Sequence, residues 1–312
     1  MLMQEVKINN VKKPISGLMM GTDYFSPDII DTVAENMENF IKIGGNTLDT
    51  AHIYLGGKSE EAIGIWMEEN KRRDDIMILT KGGHPNHNGP TVNKKDIDEE
   101  LKISLERLRT DYVELYALHR DDPTVHVGEI LEILNEHVEA GKIGAFGGSN
   151  WTTERLQEAN DYAKNNGLIG FSFSSPNLSL AKAQEPYWSD CISVDDQMLA
   201  WHEKTNLPIF SWSAQARGFF TGRFTPEDRS NKDLVRVFYN DDNWERYRRA
   251  EQLAKEKGVE TIQISLAYVL NQSFPTSAII GPQNYQELVS CKEAAEIRLT
   301  EDEIKWLDLR TK

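Results

Sequence analysis

Cysteine, basic charge and long apolar runs are what this sequence of 312 residues has least of, and each shortage removes a class of protein. Its two cysteines, Cys191 and Cys291, are too few for a disulfide framework and are not spaced as metal ligands. Both are expected to be structural thiols, with no metal site. Lys and Arg number 35 against 50 Asp and Glu, a formal charge of −15 that disfavours nonspecific attraction to nucleic acid or anionic membranes. No stretch is long enough to span a bilayer, and the N-terminal "MLMQEVKINNVKKPISGLMMG" has no apolar core followed by a small-residue cleavage site. A cytoplasmic protein is expected. Biased tracts and linkers are also missing, so residues 1–312 read as a single domain. The glycines near the first candidate strand, Gly17 and Gly21, do not fit GxGxxG, which removes the fingerprint of an open doubly wound dinucleotide fold.

What is present is a rhythm. Short apolar or β-branched runs at 15–21, 46–50, 76–81, 112–119, 142–150, 169–174, 207–213 and 276–281 predict eight strands. Helical patterns lie between and after them at 27–43, 59–72, 94–108, 127–140, 153–166, 193–206, 243–257 and 284–294. In "SPDIIDTVAENMENFIKIGG", Ser26 is placed as the N-cap, Pro27 falls in the first turn and glycine ends the pattern. Eight near-continuous apolar strands, each followed by a helix, predict an α/β fold in which a parallel sheet closes on itself, the (β/α)8 TIM barrel. Residues 175–192 and 214–242 exceed simple connections and are expected as extended loops over the C-terminal mouth.

In such a barrel the C-terminal strand ends converge, so the side chains there decide the chemistry. The second strand ends at Asp49 with Tyr54 just beyond, the third at Lys81 and the fourth at His119. A free tyrosine, with a pKa of about 10, is a poor acid and base near neutrality, and a neighbouring ammonium lowers that value. Lys81 is placed to do this, with Asp49 as its counter-charge and a neutral His119 to orient a carbonyl oxygen. The four describe a general acid beside a polarising hydrogen-bond site. His84 and His87, in "GGHPNHNGP", are candidates to line the mouth, although solvated loop positions are the leading expectation.

The segments "DTAHIYLGG", "ILTKGG", "VELYALHRDD", "GAFGGSNW", "FSWSAQARGFFTGR" and "IIGPQNYQELV", in that order, resemble the aldo-keto reductases over essentially the whole chain. The resemblance implies a barrel that binds an extended nicotinamide dinucleotide, usually NADPH, and reduces an aldehyde or ketone or oxidises the alcohol. Tyr54 would be the proton donor, with Asp49, Lys81 and His119 completing a catalytic tetrad. By the same resemblance, Trp212 would stack on the nicotinamide and Ser149 and Asn150 would bind its carboxamide. Gly21 and Thr22 would let the cofactor approach. Ser213, Ala214, Gln215 and Arg217, with Arg223 beyond, would hold the pyrophosphate, and Gly281, Gln283 and Glu287 would lie at the adenosine end.

Three departures from the family pattern shape the expectations. Phe173 or Ser174 stands where members commonly have Gln for the carboxamide. Glu287 would repel a 2′-phosphate but accept from a ribose 2′-hydroxyl, so NADH remains usable beside NADPH. The chain stops after "TEDEIKWLDLRTK", without the long tail that closes the pocket in many members. Tyr24, Phe25, Leu55, Trp151, Tyr187, Trp188 and Phe238 are therefore candidate walls, with Tyr24 and Trp151 foremost as substrate contacts. An open aromatic and polar mouth suits a sugar or other polyhydroxy carbonyl. The expected partner is this small molecule alone, with the protein a monomer or weak homo-oligomer. An alternative is a nicotinamide-binding regulatory subunit that senses redox state, as some relatives assist membrane channels. A phosphate-binding isomerase barrel is disfavoured, because no Gly-rich phosphate turn follows the last two strands.

Overall fold

The computed structural model describes residues 4–311. It opens with an antiparallel hairpin of β1 (Glu5–Val6) and β2 (Ile15–Ser16), followed by β3 (Leu18–Gly21), β4 (Thr47–Asp49), β5 (Met77–Gly82) and β6 (Val113–Leu118). The remaining strands are β7 (Ile143–Ser149), β8 (Ser174–Ser175), β9 (Ile209–Ser211) and β10 (Thr276–Ile280). Strands β3 to β10 form a closed parallel barrel in the order β10-β3-β4-β5-β6-β7-β8-β9, the (β/α)8 architecture that the rhythm predicts. Around it run α1 (Ile30–Lys42), α2 (Lys58–Asn70), α3 (Lys94–Leu108), α4 (Val127–Glu139), α5 (Thr153–Asn166) and α6 (Asp196–Thr205). Then come α7 (Lys232–Phe238), α8 (Asp241–Lys257), α9 (Thr261–Leu270), α10 (Tyr285–Glu296) and α11 (Glu301–Leu307). Among the described residues no helix is long and apolar enough to cross a membrane.

Alternation along each strand separates two cores. In β5, Ile78 packs outward with the helices, whereas Met77 and Leu79 point into the barrel beside Met19, Leu115 and Phe210. Val6, Ile8 and Ile15 of the hairpin join this inner cluster. The hairpin enters directly before β3, so it plugs the N-terminal end and leaves the C-terminal end open.

Several expected elements change. The first run, 15–21, is broken at Gly17, and its start pairs with β1 rather than with the barrel. The run at 169–174 shrinks to the two residues of β8, tied to β7 by only two paired positions. The helix from 27 begins as a 3-10 turn over Pro27–Ile29, capped by Ser26 Oγ accepting from Asp28 N at 3.2 Å, and ends before Gly44 at φ 94°. Three helices were not anticipated. Residues 263–270 of α9 are all buried, so that helix shows no polar face to reveal its period. α7 lies inside the expected loop 214–242, and α11 is set by a capping box between Thr300 and Glu303 within the closing amphipathic segment.

Candidate active site

The alternation that fills the barrel also builds its mouth. Two residues beyond the inward-facing Leu79 stands Lys81, and two beyond the inward-facing Ala117 stands His119. The same parity carries Met19 to Gly21, Phe210 to Trp212 and Ile279 to Gly281. These residues and Asp49 line one cavity of about 1850 Å³ that opens at the C-terminal end. The ladder continues past the strands, with Thr50 N donating to Leu79 O (2.9 Å), His52 N to Lys81 O (2.9 Å) and His119 N to Gly82 O (2.7 Å). Tyr54 then enters a tight turn in which Leu55, Gly56 and Gly57 all have positive φ, which swings the chain back into α2.

The Lys81 ammonium sits 2.6 Å from Asp49 Oδ1, donates to Thr50 O at 2.8 Å and donates to the Tyr54 hydroxyl at 3.2 Å. An ammonium can only donate. The Tyr54 oxygen is therefore an acceptor from Lys81, and its own hydrogen stays free for the cavity. Burial alone would push Lys81 down, but Asp49 and Tyr54 together outweigh it and hold the amine above its ordinary value. The expectation that Lys81 brings the phenol toward neutrality is corrected: burial dominates, and Tyr54 is raised to about 12. At neutral pH it is a phenol, a proton donor.

His119 is buried, and its ring lies 5.8 Å from that of Tyr54 and 5.0 Å from that of His84. Burial, then the positive charges of Lys81 and Arg120, push it well below the usual histidine range, so it is neutral. Its Nδ1 has no partner, leaving packing to hold the ring. Of the two loop histidines, His84 takes the mouth-lining alternative, because the turn after β5 folds it against His119. His87 is exposed and away from the cavity.

The expected cofactor residues all line the same cavity, which runs from the tetrad to the first turn of α10. Several are already engaged. Ser149 Oγ donates to Ser175 O (3.0 Å), and Asn150 Nδ2 reaches His119 O (3.4 Å) while its Oδ1 accepts from Ile192 N (3.0 Å). Asn150 thus also ties the loop 175–192 to the strand ends. Thr22 is fully buried, its hydroxyl donating to Asp49 O (2.9 Å). A Cβ on Gly21 would press on Ile279 and Ile280 at 3.2 Å, so packing against β10 already requires this glycine. A Cβ on Gly281 would meet nothing within 4 Å, so there the missing side chain keeps cavity space open.

Trp212 packs on the inner core with its Nε1 buried and unpartnered, and Trp188 stands 5.7 Å away at a tilt of 49°. Ser213, Ala216 and Arg217 all have positive φ, a cluster of strained turns along the wall. The Arg217 guanidinium lies over Tyr187 (4.6 Å) and Trp188 (5.1 Å). Arg223 pairs with Glu287 at 3.4 Å, and Glu287 also accepts from Gln283 N at 2.9 Å. Phe173, at the place of the expected Gln, is sealed in the inner core and stacked 4.6 Å from Phe210.

Among the candidate walls, Tyr24, Tyr187 and Trp188 line the cavity. Trp151 does not: it is fully buried behind the end of β7, 4.8 Å from Phe171. The left-handed Asn150 (φ 59°) turns the chain outward there, so the indole joins the core rather than the mouth. Phe25 and Phe238 are likewise core residues, and Leu55 is exposed outside the cavity. Ile53, Arg120 and Cys191 were missed. For Arg120 the signal was available, since it directly follows the strand-end His119.

The aldo/keto reductase family model matches residues 17–309. Norsolorinic acid reductase B of Aspergillus parasiticus is 28% identical over 285 residues, 87% of this chain and 72% of that protein. A probable voltage-gated potassium channel subunit beta of Oryza sativa subsp. japonica is also 28% identical, over 81% of this chain and 79% of its own. Among solved structures, a thermostable aldo-keto reductase bound to the inhibitor epalrestat superposes with a TM-score of 0.75 at 26% identity, covering 98% of this chain and 99% of that one. With its closed barrel and a family match across nearly its whole length, the chain belongs to the aldo/keto reductase family.

Proposed function

We propose that this oxidoreductase interconverts an aldehyde or ketone, a sugar among them, with its alcohol, using NADPH or NADH and Tyr54 as general acid and base. The observation that carries the reading is the 3.2 Å hydrogen bond from Lys81 to Tyr54, which leaves the phenol proton free beside a neutral His119. The open space at Gly281, the Trp212 ring on the cavity wall and the length of the cavity fit an extended dinucleotide. A nicotinamide bound there would supply the hydride in reduction and accept it in oxidation.

Tyr54 and His119 would share the carbonyl oxygen, His119 donating a hydrogen bond as negative charge develops and Tyr54 delivering the proton. Asp49 keeps Lys81 charged, and Lys81 stabilises the phenolate left behind. Arg217 and Arg223 provide positive charge toward the pyrophosphate within an acidic protein. The channel-subunit relative supports a second reading, a nicotinamide-binding regulatory protein with slow turnover.

Tyr54→Phe distinguishes the two. With a generic aldehyde, kcat/KM is expected to fall about a thousandfold, within the range for a lost general acid. Cofactor binding, read by tryptophan fluorescence, should persist in the variant. Equal rates in both proteins would remove Tyr54 from the chemistry, and no turnover by the wild type would favour the regulatory reading.

A further inference from the structure

Three arginines line the cavity, and they divide between its two sides. Arg217 and Arg223 follow β9, on the arc assigned to the dinucleotide, and Arg223 is already paired with Glu287. Arg120 follows β6, on the arc of the tetrad, and makes no ion pair among the described residues. The acids beside it in sequence are otherwise engaged: Asp121 pairs with Arg155 at 3.0 Å, and Asp122 accepts from Thr124 at 2.7 Å. In a protein with 15 more acidic than basic charges, an uncompensated guanidinium in a deep cavity needs an explanation.

Its geometry is fixed rather than loose. Nη1 donates to His119 O at 2.8 Å and Nη2 to Cys191 Sγ at 3.3 Å, anchoring the group between the end of β6 and the loop 175–192. Two of five N–H bonds are used, leaving three. On the tetrad side its neighbours are cationic or neutral: His119 packs against both Tyr54 and His84, and Lys81, Arg120 and His84 all act on it electrostatically. Of the acids on the cavity wall, Asp49 is spent on Lys81 and Asp23 acts on Tyr54 and Asp49. Asp190 acts on Cys191 without forming an ion pair with Arg120.

Building on the proposed carbonyl chemistry, we infer that Arg120, flanked by His84, is a substrate-recognition residue for a carboxylate carried by the same molecule as the reacting carbonyl. The carbonyl oxygen occupies the Tyr54–His119 side, and the carboxylate reaches Arg120 across the imidazole of His119. Pinned by two bonds, the guanidinium offers paired donors of the kind that match a carboxylate. The substrate class is thus an oxo acid or an aldehyde-bearing acid, such as a sugar acid, rather than a neutral carbonyl.

The test compares 4-carboxybenzaldehyde with its methyl ester, whose aldehyde is the more electrophilic. The wild type is expected to favour the acid at least tenfold in kcat/KM. In Arg120→Met that ratio should fall at least tenfold, whatever happens to each rate, and Arg120→Lys should restore part of it. A wild-type ratio at or below one, or an unchanged ratio in Arg120→Met, overturns the inference. If the wild type reduces neither aldehyde, the proposed activity fails first. Tryptophan quenching by 4-carboxybenzyl alcohol against its methyl ester then decides the carboxylate site, with tighter, Arg120-dependent binding of the acid supporting it and equal binding refuting it.

Discussion

The two halves of the barrel mouth are built differently. On one arc, β5, β6 and β7 run six, six and seven residues and carry Lys81, His119 and Ser149 at their ends. On the other, β8 and β9 run two and three residues and release long loops bearing Tyr187, Trp188, Arg217 and Arg223. On the first arc Lys81 donates to Thr50 O and Tyr54 and pairs with Asp49, and Thr80, one residue away, faces outward to bond Glu60 at 2.6 Å, while His119 Nδ1 is buried and unpartnered. The second carries no buried ion pair of that kind, and the hydroxyls of Ser174 and Ser175 and the Trp212 N–H are buried and unpartnered there. Lys81 and His119 are held at the ends of long strands, whereas the aromatic and arginine side chains of the mouth hang on loops released by short ones.

The contrast breaks most readily at Asp49. Replacing it with Ala strands the Lys81 ammonium, only 3% exposed, without its counter-charge. The expected cost is about 3–5 kcal/mol in urea unfolding, the range for breaking a buried ion pair. Ser174→Ala on the other arc removes a hydroxyl that bonds nothing, so it is expected to lie within about 0.5 kcal/mol of wild type or to stabilise. Comparable losses from the two substitutions would erase the distinction.

Besides acting on buried His119, acid should act on the short-strand arc. His202 of α6 is fully buried there, donating through Nδ1 to Leu207 O (2.8 Å) and stacked 5.4 Å from Phe274, with Nε2 unpartnered. Burial lowers it from 6.5 to about 4. The folded-state value lies below the unfolded one, so this stability is complete above pH 6.5 and is lost as pH falls toward 4. The loss is about 3 kcal/mol over that window. In His202→Phe the ring still packs but cannot titrate, so the slope of unfolding free energy against pH should flatten between 6.5 and 4. A slope unchanged in the variant would move the acid sensitivity elsewhere.

The same contrast explains what was legible in the sequence. The strand-end tetrad could be read because an inward parity on long strands fixes where Lys81 and His119 point. The seating of Tyr54 followed from Asp49, but the direction of its pKa did not, since burial is a tertiary quantity. Trp151 misled because a single left-handed residue, Asn150, decides whether the next side chain faces the mouth or the core. Helix α9 was invisible because burial on every side erases the amphipathic period. Placing His84 depended on how the loop after β5 folds over the strands, and no spacing rule specifies that.

The smallest expected effect separates the two nicotinamide cofactors, and it falls on the loop arc. Glu287 is anchored twice, by Arg223 at 3.4 Å and by Gln283 N at 2.9 Å, at the far end of the cavity from Tyr54. As an exposed pair, Arg223 and Glu287 contribute no more than about 1 kcal/mol to stability, so Glu287→Ala should leave unfolding nearly unchanged. Selectivity should move instead. Removing the carboxylate takes away an acceptor for a ribose 2′-hydroxyl and the negative charge that would repel a 2′-phosphate, so both changes push the same way. The ratio of kcat/KM for NADPH over NADH is expected to rise about tenfold, roughly 1.4 kcal/mol. A ratio that stays fixed, or that moves toward NADH, would show that cofactor choice is made on the rigid arc after all.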